Sequence, residues 1–227
     1  MCPADSGAFR IFASNDDGLY AAGMIELARR LSPLAELTIV APDGPRSAAS
    51  HTITLHKPLR LDPAPDFPWP PDARGPHSAF TCSGSPADCV MLGVLELLKD
   101  DPPHLVVSGI NDGQNLAEDV TYSGTVAAAM EGAILGLPSI AVSLDYRGKG
   151  NFSTASHFLV ELVSRLFFDG QSAHTWVAVD VKEFQERYGG KLFLNVNVPD
   201  RPVGEVKGLL LCRNRIPWVS RCCAEDD

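Results

Sequence analysis

The chain lacks most of the short motifs by which nucleotide and ester chemistry is usually read. It contains no GxxxxGK[ST] loop and no GxGxxG after its first apolar run, so a P-loop ATPase or a dinucleotide enzyme is disfavoured. It has no GxSxG elbow, which argues against a serine hydrolase. Its six cysteines, at positions 2, 82, 89, 212, 222 and 223, form no CxxC pair and no disulfide framework. They read as reduced thiols of a cytoplasmic protein. No uninterrupted apolar run reaches membrane-spanning length, so no membrane partner is expected. The first residues, Met1 to Gly7, carry neither a basic region nor an apolar core and do not resemble a signal peptide. Positive charge is also scarce. Nineteen Lys and Arg stand against 28 Asp and Glu, a formal charge of −9, which argues against a surface that grips nucleic-acid backbone nonspecifically, and no nucleic-acid duplex is expected as a partner. A single nucleotide held through a metal is not excluded.

What is present suits one globular domain or slightly more: 227 residues, 45% hydrophobic and 21% charged. Strand and helix signals alternate. Phe9–Ser14 reads as a short apolar strand, and Met24, Leu27, Ala28 and Leu31 follow at helical spacing until Pro33. Leu37–Ala41 is a second strand. A stretch from 42 to 76, rich in Pro, Ser, Asp and His, allows a hairpin around Thr52–Leu61. Ala79–Cys82 is a short strand, and Ser85-Pro86-Ala87-Asp88 supplies an N-cap, a proline at the first helical position and acid in the first turn. That helix carries Val90, Met91, Val94, Leu95 and Leu98 on one face.

Further strands are predicted at His104–Ile110, Leu137–Leu144 and Leu192–Val198. A small-residue helix opens at Ser123-Gly124-Thr125 and ends near Gly136, and Phe158, Leu159, Leu162, Val163 and Leu166 mark another. The fold class is therefore α/β, a Rossmann-like parallel sheet flanked by helices.

The most informative segment is Ser14-Asn15-Asp16-Asp17-Gly18, at the end of the first strand. Ligands bind at the carboxyl ends of strands in such sheets. Two adjacent carboxylates in a partly dry site repel, and one takes up a proton unless a cation lies between them. The pair reads as half of a metal site, the competing reading being a turn with two solvated carboxylates.

Other loops carry oxygen donors in quantity: Asp43–Ser50, Ser83–Asp88, Ser108–Asn115 and Tyr122–Thr125. Asp16, Asp17, a Ser hydroxyl and an Asn carbonyl make an all-oxygen shell, which selects Mg²⁺, Mn²⁺ or Ca²⁺ over zinc. The Gly-rich loops and the helix start offer backbone N–H groups for a phosphate, with Asn15, Gly113, Asn115, Ser123, Gly124 and Thr125 as candidate contacts. Turn chemistry is the lesser reading of the 111–115 loop and a plain N-cap an equal one for Ser123, but the loops taken together on one edge of one sheet favour a site. His51 and His56 read as hairpin-surface residues, a catalytic part being the alternative.

The strings SNDDG, VAPDGPRSAAS, SGSPADCV, VVSGINDGQN, YSGTVAAAMEG and LPSIAVSL occur in this order and resemble the survival protein SurE family of metal-dependent nucleotidases, from about Phe9 to Leu144 and again over Phe193–Pro199. The resemblance implies that Asp16, Asp17, Ser47 and Asn111 hold one divalent cation per subunit, Mg²⁺ or Mn²⁺, a site that Ca²⁺ also occupies. It puts Asn115 and Ser123 on active-site polar positions beside the acidic pair. It implies hydrolysis of nucleoside 5′- and 3′-monophosphates, and of short polyphosphate in some members. It also implies a core, here 8–146, followed by a subunit-exchanging helix-and-strand arm, here 147–227. A homodimer is expected, with a tetramer the larger alternative.

The chain departs from the family pattern after Arg213, where members usually continue for a few dozen residues and include a late histidine. A weakly active or inactive nucleotide- and metal-binding protein is therefore the alternative. A glycosyl- or nucleotidyl-transferase that binds a metal–diphosphate is a more distant one. The nucleophile is either water or an Asp16 or Asp17 carboxylate, and the lack of a DxDx[TV] pattern favours water.

Overall fold

Strand alternation in the first apolar run decides which residues face which layer of the computed structural model, which describes residues 8–145, 150–168, 192–208 and 210. In β1 (Arg10–Ser14), Ile11 and Ala13 face one side of the sheet, while Phe12 faces the other. β1 pairs in parallel with β2 (Glu36–Pro42) on one side and with β5 (Leu105–Asp112) on the other. Beyond these lie β4 (His77–Cys82), β6 (Ser139–Asp145) and β7 (Phe193–Pro199), all parallel. A short antiparallel β3 (Leu61–Pro63) closes one edge, giving the order β3-β4-β2-β1-β5-β6-β7. The α/β, Rossmann-like class expected from the sequence is observed.

The helices cover both faces. On one, α1 (Ala22–Leu31) and α5 (Phe152–Phe167) bury Met24, Leu27, Leu31, Leu159 and Val163 against Ile11, Ile39 and Val107. On the other, α2 (Pro86–Leu92) and α4 (Gly124–Ile134) bury Cys89, Val90 and Ala128 against Phe12, Val40 and Val106. A single-turn α3 (Asp119–Tyr122) precedes α4. Residues of the expected arm, α5 and β7, are layers of this same sheet: β7 pairs with β6 along seven residue pairs. The remainder of the arm, including the segment after Arg213, lies outside the described residues.

Two local expectations are corrected. No hairpin forms at 52–61. Thr54 donates its backbone N–H (2.9 Å) and its hydroxyl (2.7 Å) to the buried Asp88 carboxylate, and Ser85 Oγ donates to the Thr52 carbonyl (2.6 Å). The segment is thus tied to the start of α2 rather than to a partner strand. The helix after Ser85 also does not run on regularly. It widens into a π-turn over Gly93–Leu97, where Leu98 N–H reaches the Gly93 carbonyl. A Cβ at Gly93 would lie 2.1 Å from the Phe12 ring. Leu95, expected on the buried face, swings outward and is 51% exposed. The capping box of Ser85 and Asp88 is present as expected.

The strand order reverses between β2 and β5 on either side of β1. That reversal makes a crevice at the carboxyl ends of β1 and β5, the usual ligand position in an open α/β sheet. Cys82 and Cys89, both buried, carry no disulfide, and the other cysteines lie outside the described residues. No described helix is long and apolar enough to cross a membrane.

Candidate active site

The turn after β1 is held by its own first residue. Asn15 donates Nδ2–H to the Gly18 carbonyl (2.9 Å) and accepts the Gly18 N–H (3.1 Å) on Oδ1, so its side chain is spent on the turn. This orients the next two carboxylates differently. Asp16 is 6% exposed and accepts the Thr125 hydroxyl (2.5 Å) on Oδ1. Asp17 is half-buried and accepts the Asp112 N–H at 3.3 Å. Burial, and secondarily the charge of Asp16, raises the Asp17 carboxyl from 3.8 to about 6.

α4 delivers Thr125 to this point. Its N-terminus packs on the β1 turn because residue 124 has no side chain: a Cβ there would lie 2.7 Å from Asp16 Cβ and 3.0 Å from its Oδ2. The Thr125 hydroxyl lies 3.4 Å from Asn111 Oδ1 as well, linking the β1 turn to the end of β5. Asn111 is aimed by a bulge. β5 spends three residues from Ser108 to Asn111 where β6 spends two, from Ala141 to Ser143. Gly109 sits in that bulge at φ +131°, and a Cβ would lie 2.3 Å from the Val142 carbonyl. The Asn111 Nδ2 donates to the Gly113 carbonyl (2.7 Å), which turns Oδ1 towards Thr125 and Asp16.

Ser47 lies in the exposed loop after β2. That loop is pinned on both sides of it: Arg46 N–H donates to the Asp16 carbonyl (2.7 Å), and Ser50 donates to the carbonyls of Tyr122 (2.9 Å) and Thr121 (2.8 Å). Ala48 and Ser50 adopt positive φ, 56° and 53°, a sterically costly choice for side-chain-bearing residues. The loop continues to His51, whose Nε2 meets Glu131 Oε2 at 2.7 Å. Glu131 is 5% exposed on the small-residue helix α4. His51 is therefore half-buried against α4 and not on a hairpin surface, whereas His56 is exposed.

The phosphate candidates gather at the same edge. Ser123 caps α4, its Oγ accepting the Val126 N–H (3.0 Å), and the hydroxyl proton has no acceptor among the described residues. Gly124 and Thr125, the first two residues of α4, contribute N–H groups without intrahelical acceptors. Asn115, 5% exposed, is fixed by Ser143 and by Asn195 and Asn197 of β7.

Sequence reasoning missed the Thr125 hydroxyl as the tie between Asp16 and Asn111, having taken Thr125 for its backbone alone. It also missed Glu131, whose signal is a single carboxylate in an otherwise apolar helix face.

The arrangement suits a hard cation. Asp16, Asp17 and the Asn111 carbonyl present oxygens only, and among the described residues no cluster of three His, Cys, Asp or Glu side chains competes for a metal. The weakened acidity of Asp17 comes from burial and from the neighbouring Asp16 charge, an electrostatic load that a bound cation would relieve.

Residues 11–217 match the family described as Survival protein SurE. The chain is 43% identical over 205 residues to a 5′-nucleotidase SurE of Nitrosomonas eutropha, covering 90% of this chain and 71% of that protein. It is 42% identical over 219 residues to a protein of the same name from Aeromonas hydrophila, covering 96% and 77%. The solved SurE protein of Aquifex aeolicus matches with a TM-score of 0.69 at 34% identity, over 88% of this chain and 70% of that one. This chain belongs to the SurE survival-protein family.

Proposed function

We infer that the chain is a 5′-nucleotidase, a phosphomonoesterase that splits nucleoside 5′-monophosphates into nucleoside and phosphate. The observation that carries the reading is the union, at the sheet's crevice, of an acidic pair with a helix N-terminus: Asp16 bonded to Thr125, the second residue of α4. Its relatives' shared name, 5′-nucleotidase SurE, supplies the substrate class. Hydrolysis of 3′-monophosphates and of short polyphosphate, and a cytoplasmic location, belong to the same proposal.

Asp16, Asp17, Ser47 and Asn111 are the proposed holders of one divalent cation, Mg²⁺ or Mn²⁺. When bound, that cation offsets charge on the phosphoryl oxygens and polarises them. Asn115, the Ser123 hydroxyl and the N–H groups of Gly124 and Thr125 hold the remaining oxygens, and Gly113 and Asn15 shape the loops behind them. The helix dipole of α4 points its positive end at the phosphate. The burial of Asp16 keeps bulk water from screening contacts made at its carboxylate. Water is the proposed nucleophile: its oxygen bonds to phosphorus as the ester oxygen leaves and takes up a proton. A core of 8–146, joined in the sheet by α5 and β7, with exchange between two subunits confined to the rest of 147–227, completes the proposal.

A panel of nucleoside monophosphates with Mn²⁺ and a phosphate-release readout tests it. Turnover of 5′-monophosphates is the expected result. Binding without turnover would instead describe an inactive nucleotide-binding protein, and a chain that spares monophosphates but releases diphosphate from a nucleoside triphosphate, or transfers the sugar of a sugar nucleotide, would be a transferase.

A further inference from the structure

We infer that Asn195 and Asn197 are positioning residues for Asn115, setting its amide for the phosphoryl group; this rests on the reading of Asn115 as a phosphate contact. The two asparagines are two apart on β7 and so share one face of the strand. Asn197 stands opposite Ser143, and Asn195 opposite Ala141. Together they enclose the backbone of Asn115, some eighty residues earlier in the chain. Asn197 Oδ1 accepts the Asn115 N–H at 2.8 Å. The Asn115 carbonyl accepts from Asn195 Nδ2 at 2.9 Å and from Asn197 Nδ2 at 3.2 Å.

With the backbone gripped, the Asn115 side chain has one remaining anchor, Ser143 Oγ at 2.8 Å. There Nδ2 donates one of its two hydrogens to the Ser143 hydroxyl, and the second N–H is left for an anion. Ser143 thus orients the amide, while β7 fixes where the residue stands.

The arrangement has a stability cost that marks it as more than packing. Asn195 Oδ1 is buried and has no partner among the described residues. A buried carbonyl without a donor destabilises, so an apolar residue of the same shape would suit the fold better. What Asn195 provides in return is the Nδ2 donor to Asn115.

The test is a double-mutant cycle on the full chain. Asn195→Leu is expected to lower kcat about ten- to a hundredfold, since small misplacements of a substrate contact have effects of that size. It is also expected to weaken binding of inorganic phosphate in calorimetry, while leaving Mn²⁺ affinity and Tm at or above wild type. In the Asn115→Ala background, Asn195→Leu is expected to lower kcat no further, because the residue acts only through Asn115. Asn197→Asp, which keeps the acceptor for the Asn115 N–H but loses the donor, is expected to fall between.

Wild-type turnover and phosphate affinity in Asn195→Leu would overturn the inference. So would an equal further loss on top of Asn115→Ala, the mark of a merely structural role. A wild-type chain that releases no phosphate yet binds inorganic phosphate through Asn195 would overturn the nucleotidase reading and leave this inference standing. A wild-type chain that binds no phosphate would overturn this inference.

Discussion

Asp16 and Asp17 are neighbours in the chain but differ in surroundings: one is bonded to the Thr125 hydroxyl, the other half-buried with its acidity weakened to about 6. The consequence for the metal-free protein has a definite sign. A carboxyl raised from 3.8 unfolded to about 6 folded binds more protons in the native state between those values. Its contribution to stability is full below pH 3.8 and is lost as pH rises through about 6. Chemical denaturation of the metal-free chain at pH 4 and pH 7 is expected to show this loss, and in Asp17→Asn the difference due to this group is expected to vanish. Asp17→Asn is also expected to fold, to be at least as stable as wild type without metal at pH 7, and to release no phosphate. Wild-type turnover of that variant at saturating Mn²⁺ would remove Asp17 from the metal site. At Thr125, replacement by Val leaves the buried Asp16 oxygen without its donor, an expected loss of about 1–3 kcal/mol by denaturant titration.

The elements explain why some of this was legible beforehand and some was not. Strands and helices around the crevice follow from alternation and helical spacing, and Pro33, Ser85 and Ser123 mark boundaries the structure keeps. The acidic pair is adjacent in sequence, so its electrostatic problem shows without a fold. Pairings across the sheet do not show in this way. His51 and Glu131 are eighty positions apart, as are Asn115 and Asn195, and nothing local distinguishes a hydroxyl that caps a helix from one that reaches Asp16. The hairpin expected at 52–61 failed for a related reason: Asp88, more than thirty positions away, takes the Thr54 N–H and hydroxyl and ties the segment to α2. At this scale His51→Ala is the informative change. It strips the partner from a buried carboxylate and frees the Ser47 loop from α4. A stability loss of about 1–3 kcal/mol is expected, together with weaker Mn²⁺ binding in titration. Unchanged Mn²⁺ affinity would mean that the loop is held by Ser50 and Arg46 alone.

Among the described residues, β7 is the last strand of the sheet and carries two of the residues that grip Asn115. Unpaired edges recruit other chains, and an exchanged arm would cover this one. Light scattering at micromolar concentration is expected to give a dimer mass, and a strictly monomeric mass would refute the exchange. The same architecture concentrates negative charge where a dianionic phosphate must enter, on a chain already at −9. A cation at Asp16 and Asp17 would reconcile the two, which makes metal dependence the central claim. The most direct measurement is phosphate release from a nucleoside 5′-monophosphate by the purified chain, before and after exhaustive chelation and again after adding Mn²⁺ or Mg²⁺. The account predicts loss of turnover on chelation and its return with either metal. Turnover that survives chelation would contradict it and would require a nucleophile that works without a metal.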